Sequence, residues 1–137
     1  MAEVNKMKIL LIRPMEVPKE MEIEDSLEEM QRLVGGYIQE IMPFEDDVAL
    51  VCNDEGKFMG LPLNRAIRDE RGNLADIIAG AFFLCRAPVE SENFESLSEE
   101  QVKKYEKRFH NPERFLKSGN EIVVIPIRSK REDLERL

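Results

Sequence analysis

Apolar positions along this chain fall into short blocks separated by turn-forming residues, and their period changes from block to block. MKILLIR (7–13) is a continuous apolar run of strand length, closed by Pro14 and Pro18 in PMEVPKE. EMEIE then alternates apolar and acidic positions, the pattern of an edge strand with one wet face, so the two segments predict a hairpin. In DSLEEMQRLVGG the period lengthens. Leu27, Met30, Leu33 and Val34 share a helical stripe, Ser26 and Glu29 have the spacing of a capping box, and Gly35 and Gly36 stop the helix. YIQEIMP (37–43) and DVALVCN (47–53) return to strand patterning. DEGK predicts a hairpin turn with Gly56 at its positive-φ position, and KFMGLPL a return strand broken at Gly60 and Pro62. DERGN (69–73) is a further turn, and LADIIAGAFFLC (74–85) reads as one strand with a bulge or bend at Gly80.

A second helix is predicted in SLSEEQVKKYEKRF. Ser98 and Gln101 repeat the capping-box spacing, Val102, Tyr105 and Phe109 form the apolar stripe, and Asn111 and Pro112 end it. ERFLKSGN reads as a helical turn or a loop, and EIVVIPIR as a β-branched strand whose Pro126 points to a sheet edge. The last residues read as a frayed helix. The elements assemble into an α+β fold: a mixed, mainly antiparallel sheet with two helices packed on it. One domain is expected over 1–137, with its core at about 7–127 and a charged tail at 128–137.

Composition narrows the chemistry. The 137 residues are 42% hydrophobic and 35% charged, and no window approaches the ~18 apolar residues of a membrane span. The first apolar run is followed by proline and acids rather than a signal-peptide cleavage pattern, so a cytoplasmic protein is expected. A net charge of −8 opposes non-specific attraction to nucleic acid. The two cysteines, Cys52 and Cys85, lie in apolar runs without a CxxC, and His110 is the single histidine. That combination argues against a Cys/His zinc centre, and a Cys-His or Ser-His-Asp machine would have to recruit a histidine far from either thiol in sequence. No catalytic residue, metal or cofactor is expected.

The segment with most binding character is GLPLNRAIRDERG (60–72). Asn64, Arg65 and Arg68 are candidate ligand-binding residues: a guanidinium forks onto carboxylate or phosphate, and an amide donates and accepts. The structural alternative has Pro62 fixing a turn, Asn64 bonding its own backbone, and Arg65 pairing with Asp69 or Asp76. Gly35-Gly36 follows a helix rather than preceding one, which is wrong for a phosphate loop. Glu45, Asp46 and Asp47 form an acidic knot that reads as a solvated turn tip. Tyr105, Phe109 and Phe115 interleave with Lys103, Lys104, Lys107, Arg108 and Arg114, yet the helical spacing turns Tyr105 and Phe109 inward rather than toward a nucleic acid. Glu20, Glu22, Glu24, Glu28 and Glu29 form an acidic row that invites comparison with a phosphate backbone.

The phrases VGGYI, CNDEGK, GLPLNRA and DIIAGAFFL, with SLSEEQVKKYEKRFHNPERF after them, resemble domain-of-unknown-function family 3846 over about Met7 to Phe115. The resemblance implies a small intracellular protein of a phage, plasmid or conjugative element, and carries no activity or catalytic residue with it. The function expected is therefore an accessory role by non-catalytic binding to a protein partner. Two alternatives stand beside it: a small-ligand or nucleotide binder using the Asn64-Arg65-Arg68 segment, and an acidic DNA mimic directed against host defence. Homo-oligomerisation is compatible with all three.

Overall fold

The computed structural model describes residues 5–128. In chain order the elements are β1 (Lys6–Ile12), β2 (Lys19–Glu24), α1 (Leu27–Val34), β3 (Ile38–Ile41), β4 (Val48–Asn53), β5 (Leu63–Arg68), β6 (Leu74–Ala79), β7 (Phe82–Arg86), α2 (Glu99–Arg108), β8 (Glu113–Ser118) and β9 (Glu121–Pro126). Five strands form a sheet of order β2-β1-β7-β4-β3, every adjacent pair antiparallel. β5–β6 and β8–β9 are separate two-stranded hairpins. The fold is α+β, as its patterning predicts.

The continuous apolar runs of β1, β4 and β7 have a plain cause, which is that both faces of the sheet are covered. Side chains alternate between faces along a strand. Ile9, Leu11, Val51 and Phe83 therefore pack with Met30 and Val34 of α1 on one side. Leu10, Leu50, Phe82 and Leu84 meet Val102, Tyr105 and Phe109, together with Ile67 and Ile78 from the β5–β6 hairpin, on the other. The two helices thus lie on opposite faces. β2 is an edge, and its Glu20, Glu22 and Glu24 are exposed while Ile23 is buried.

Both helix starts are capped. Ser98 Oγ accepts from Gln101 N at 3.1 Å and Gln101 Oε1 accepts from Ser98 N at 3.0 Å, a complete capping box. At α1 only half of the box forms: Ser26 Oγ accepts from Glu29 N at 3.2 Å, but the Glu29 carboxylate turns to Arg32. Gly35 ends α1 at φ 78°.

Four expectations are corrected. KFMGLPL is not a return strand: residues 54–60 form consecutive turns, and the strand begins at Leu63. Gly56 is not at positive φ. It is required for space, since a Cβ there would stand 2.8 Å from the Ala79 carbonyl oxygen. LADIIAGAFFLC is two strands in two different sheets, parted at Gly80, which has φ 81°. ERFLKSGN is strand β8 and its turn rather than helix or loop. The tail expected to be a frayed helix falls outside the described residues from 129 onward.

Candidate functional site

Leu63–Arg68 is a strand with the burial pattern of a core element, even though its sequence is LNRAIR. Asn64 is fully buried and Arg65 is 1% exposed. Asn64 donates from Nδ2 to the carbonyl oxygens of Ile12 and Gly80, each at 2.9 Å, and its Oδ1 accepts from Arg65 Nη1 at 2.9 Å. It bonds distant backbone, not its own.

Arg65 makes five hydrogen bonds, all to neutral oxygens. Nε and Nη2 both donate to Phe109 O at 3.1 Å, Nη2 also to Glu16 O at 2.6 Å, and Nη1 to Asn64 O at 3.3 Å besides Asn64 Oδ1. A guanidinium has five N–H donors, so none is left for a ligand. Burial pulls its pKa below the ordinary value, and the Glu113 carboxylate opposes that. Neither Asp69 nor Asp76 pairs with it. Phe109 is the C-cap of α2, so the cation rests on the negative end of a helix, which together with the nearby Glu113 carboxylate offsets the cost of burying a charge that makes no ion pair.

Arg68 ends the strand and behaves differently. It is exposed and lines a cleft of about 420 Å³ with Pro43, Phe44, Glu45, Asp69, Glu70, Arg71, Lys104, Tyr105 and Arg108. Three elements build this cleft: the β3–β4 loop, the β5–β6 turn and α2. The turn is held by Asp69 Oδ1, which accepts from Arg71 N and Asn73 N at 2.9 Å each. Arg68 Nη1 donates to Gly72 O at 3.0 Å, and Arg108 Nη2 to Arg68 O at 3.1 Å. The Arg108 guanidinium lies 4.8 Å from the Phe44 ring centroid. Among the described residues no carboxylate lies within ion-pair distance of Arg68, Arg71 or Arg108. On the acidic rim, a hydrogen bond that the protonated Glu70 carboxyl donates to Glu45, and the Glu45 charge, push the Glu70 carboxyl above the usual carboxylate range. Of the three residues singled out by sequence, then, the structure places Asn64 and Arg65 inside the fold and Arg68 at the cleft. Arg71 follows three residues later in the same turn, while Lys104 and Arg108, which the sequence marks only as cations of a basic stretch, join through tertiary packing.

The acidic knot is only in part a solvated tip. Asp47 Oδ2 accepts from Arg86 Nε at 2.9 Å, and Gln101 Nε2 donates to Asp47 Oδ1 at 2.8 Å and to Asp46 Oδ1 at 3.3 Å. Tyr105 OH donates to Asp46 Oδ2 at 3.4 Å. The Arg86 hydrogen bond holds the Asp47 carboxyl below its usual range, while burial and the Asp46 charge push the Tyr105 hydroxyl up to about 12. These two acids clamp α2 onto the sheet beside the cleft.

The remaining candidates are accounted for locally. Burial pushes the Cys52 thiol up to about 11 and the Cys85 thiol to about 12, which makes both poor nucleophiles. His110 Nδ1 lies 2.9 Å from Glu106 Oε1. Among the described residues no three His, Cys, Asp or Glu side chains gather as a metal site. The Tyr105 and Phe109 rings are buried and not open for stacking. Across the β1–β2 ladder Lys8 stands opposite Glu22 and Lys6 opposite Glu24, and Lys8 Nζ pairs with Glu20 at 3.2 Å, so cations interrupt the acidic row.

A family model described as Domain of unknown function (DUF3846) matches residues 7–110, which covers the five-stranded sheet, both helices and the cleft. No curated protein and no solved structure matches the chain.

Proposed function

The chain belongs to the DUF3846 family, and from that premise we propose that it is a non-catalytic binding protein whose Arg68–Arg108 cleft holds an anionic small ligand bearing carboxylate or phosphate. One observation carries the reading. Arg68, Arg71, Lys104 and Arg108 converge from two separate elements on a single cleft, in a molecule of net charge −8, and its three guanidiniums lack acidic partners among the described residues. Elsewhere the structure commits its buried cation and amide to the fold; here it leaves donors facing solvent. Guanidinium groups recognise carboxylate and phosphate through parallel N–H bonds. The cleft volume lies within the range of small-molecule sites. Non-catalytic action is supported by the raised thiols and by His110 resting on Glu106. An accessory role in a phage or plasmid accords with the sequence resemblance.

Thermal shift with a panel of nucleoside triphosphates, pyrophosphate and citrate tests this. At least one probe is expected to raise Tm in wild type, with Arg68→Ala and Arg108→Ala each weakening the apparent affinity by about tenfold or more. If no probe stabilises wild type, or if both variants respond as wild type does, the cleft is not the site.

A protein partner is the second reading, favoured by a specific surface. Phe58 is 95% exposed, with Tyr37 and Met59 also exposed near the end of β4. Their loop is fixed by hydrogen bonds from Met59 N to Glu55 O and from Leu61 N to Gly56 O. A rigid aromatic anchor of this kind suits an interface core. Pull-down from the host with wild type and Phe58→Ser separates the two readings: a partner lost with Phe58→Ser but kept with Arg68→Ala places function on this loop.

A further inference from the structure

The β8–β9 hairpin lies beyond the stretch that the family match covers, and it carries an apolar face open to solvent. Its register pairs Arg114 with Ile125, Leu116 with Val123 and Ser118 with Glu121, so these six side chains share one face. On it Leu116 is 54% exposed, Val123 44% and Ile125 40%. The other face is held toward β5, where Ala66 N donates to Glu113 Oε1 at 2.8 Å and Phe115 and Val124 are partly covered. EIVVI is apolar at consecutive positions, the pattern of a strand covered on both faces. Within the chain the hairpin is partly covered on one, at Phe115 and Val124, while Ile122 on that same face is 45% exposed.

The charges on the open face identify what fits it. Arg114 stands at one end, Glu121 at the other, and the Leu116–Val123 row lies between. Neither charged group has an ion-pair partner among the described residues. A neutral face, cationic at one end and anionic at the other, is complementary to itself after half a turn, which is the requirement of a two-fold interface. A strongly basic or acidic partner would find no matching net charge there.

We infer that this hairpin face packs on the same face of a second copy of the chain, across a two-fold axis that sets the Arg114 end of one copy over the Glu121 end of the other. These six residues are few beside the roughly 20–30 per side of a standard interface, so the dimer is weak and reversible. The net charge of −8 on each copy opposes approach, so added salt strengthens the association by screening the molecules as wholes.

Sedimentation equilibrium of the full chain from about 10 μM to about 1 mM reads this directly. Wild type is expected to rise from monomer toward dimer mass, and Val123→Lys to stay monomeric with an unchanged thermal melt. Arg114→Glu and Glu121→Arg are each expected to weaken dimerisation about fivefold or more, and the double swap to return to within about twofold of wild type. Monomer at every concentration, a dimer indifferent to Val123→Lys, or a double swap as weak as the singles would each overturn the inference. A chain ending at Arg128 that dimerises while the full chain does not would assign the face to residues 129–137 and overturn it equally.

Discussion

At the scale of single residues, Asn64 does more than any local rule assigns to it. Its two N–H groups end on carbonyls at the close of β1 and just past β6, and its oxygen accepts a hydrogen bond from Arg65. Asn64→Ala would strand two buried carbonyls and one guanidinium donor. Since each buried polar group left unpaired costs about 1–3 kcal/mol, urea unfolding should show a loss of about 3 kcal/mol with an unchanged m-value. A loss below about 1 kcal/mol would mean that water enters and takes over these bonds. The sequence marked this position but misread its task. Beside Pro62 and Arg65, an asparagine has the chemistry of a turn former. Whether it bonds its own backbone or a distant strand is decided by tertiary placement, for which there is no local sign.

At the scale of elements, α2 is held at its start by a residue with two jobs. Gln101 completes the capping box with Oε1 and reaches Asp46 and Asp47 with Nε2, joining local helix initiation to tertiary docking. Asp47→Ala should lower stability at pH 7 by about 1 kcal/mol, a figure discounted for the half-exposed Arg86 partner. The sign of its pH dependence follows from the depressed folded pKa of Asp47. The carboxylate stabilises the fold above its unfolded value of about 3.9 and loses that effect as pH falls through the lower folded value. Wild type and variant should therefore differ fully at pH 7 and converge toward pH 2, measured by urea unfolding. Both helices were legible because Ser26, Ser98 and Gln101 act within one turn. β8 was not: Phe115 faces inward and Leu116 outward, so adjacent apolar residues obscure the two-residue period. β5 was hidden for the opposite reason, since it buries Asn64 and Arg65.

At the scale of the whole molecule, protection should follow how many faces of a strand are covered. β7 sits at the middle of the five-stranded sheet with apolar layers on both sides, whereas β8–β9 is partly covered on one. Native-state hydrogen exchange should find its slowest amides in β7 and β4, with those of β9 exchanging at least about a hundredfold faster. Equal protection would show that the hairpin opens only with global unfolding. The cleft was the least legible part of all. Arg68 stood out within its segment and Arg71 follows it in the same turn, but Arg108 reads in sequence as one cation of a basic stretch and meets them only because the β5–β6 turn and α2 share one face of the sheet. Gly80 has a wider consequence. Its left-handed backbone sits where a Cβ would come within 2.7 Å of Leu61, and its carbonyl receives Asn64. The passage from β6 to β7 is thus keyed to two residues on the far side of the β5–β6 hairpin. In evolution or engineering that hairpin cannot be exchanged between relatives as a self-contained cassette: Leu61, Asn64 and Gly80 have to travel together, or the junction with the central sheet will not close.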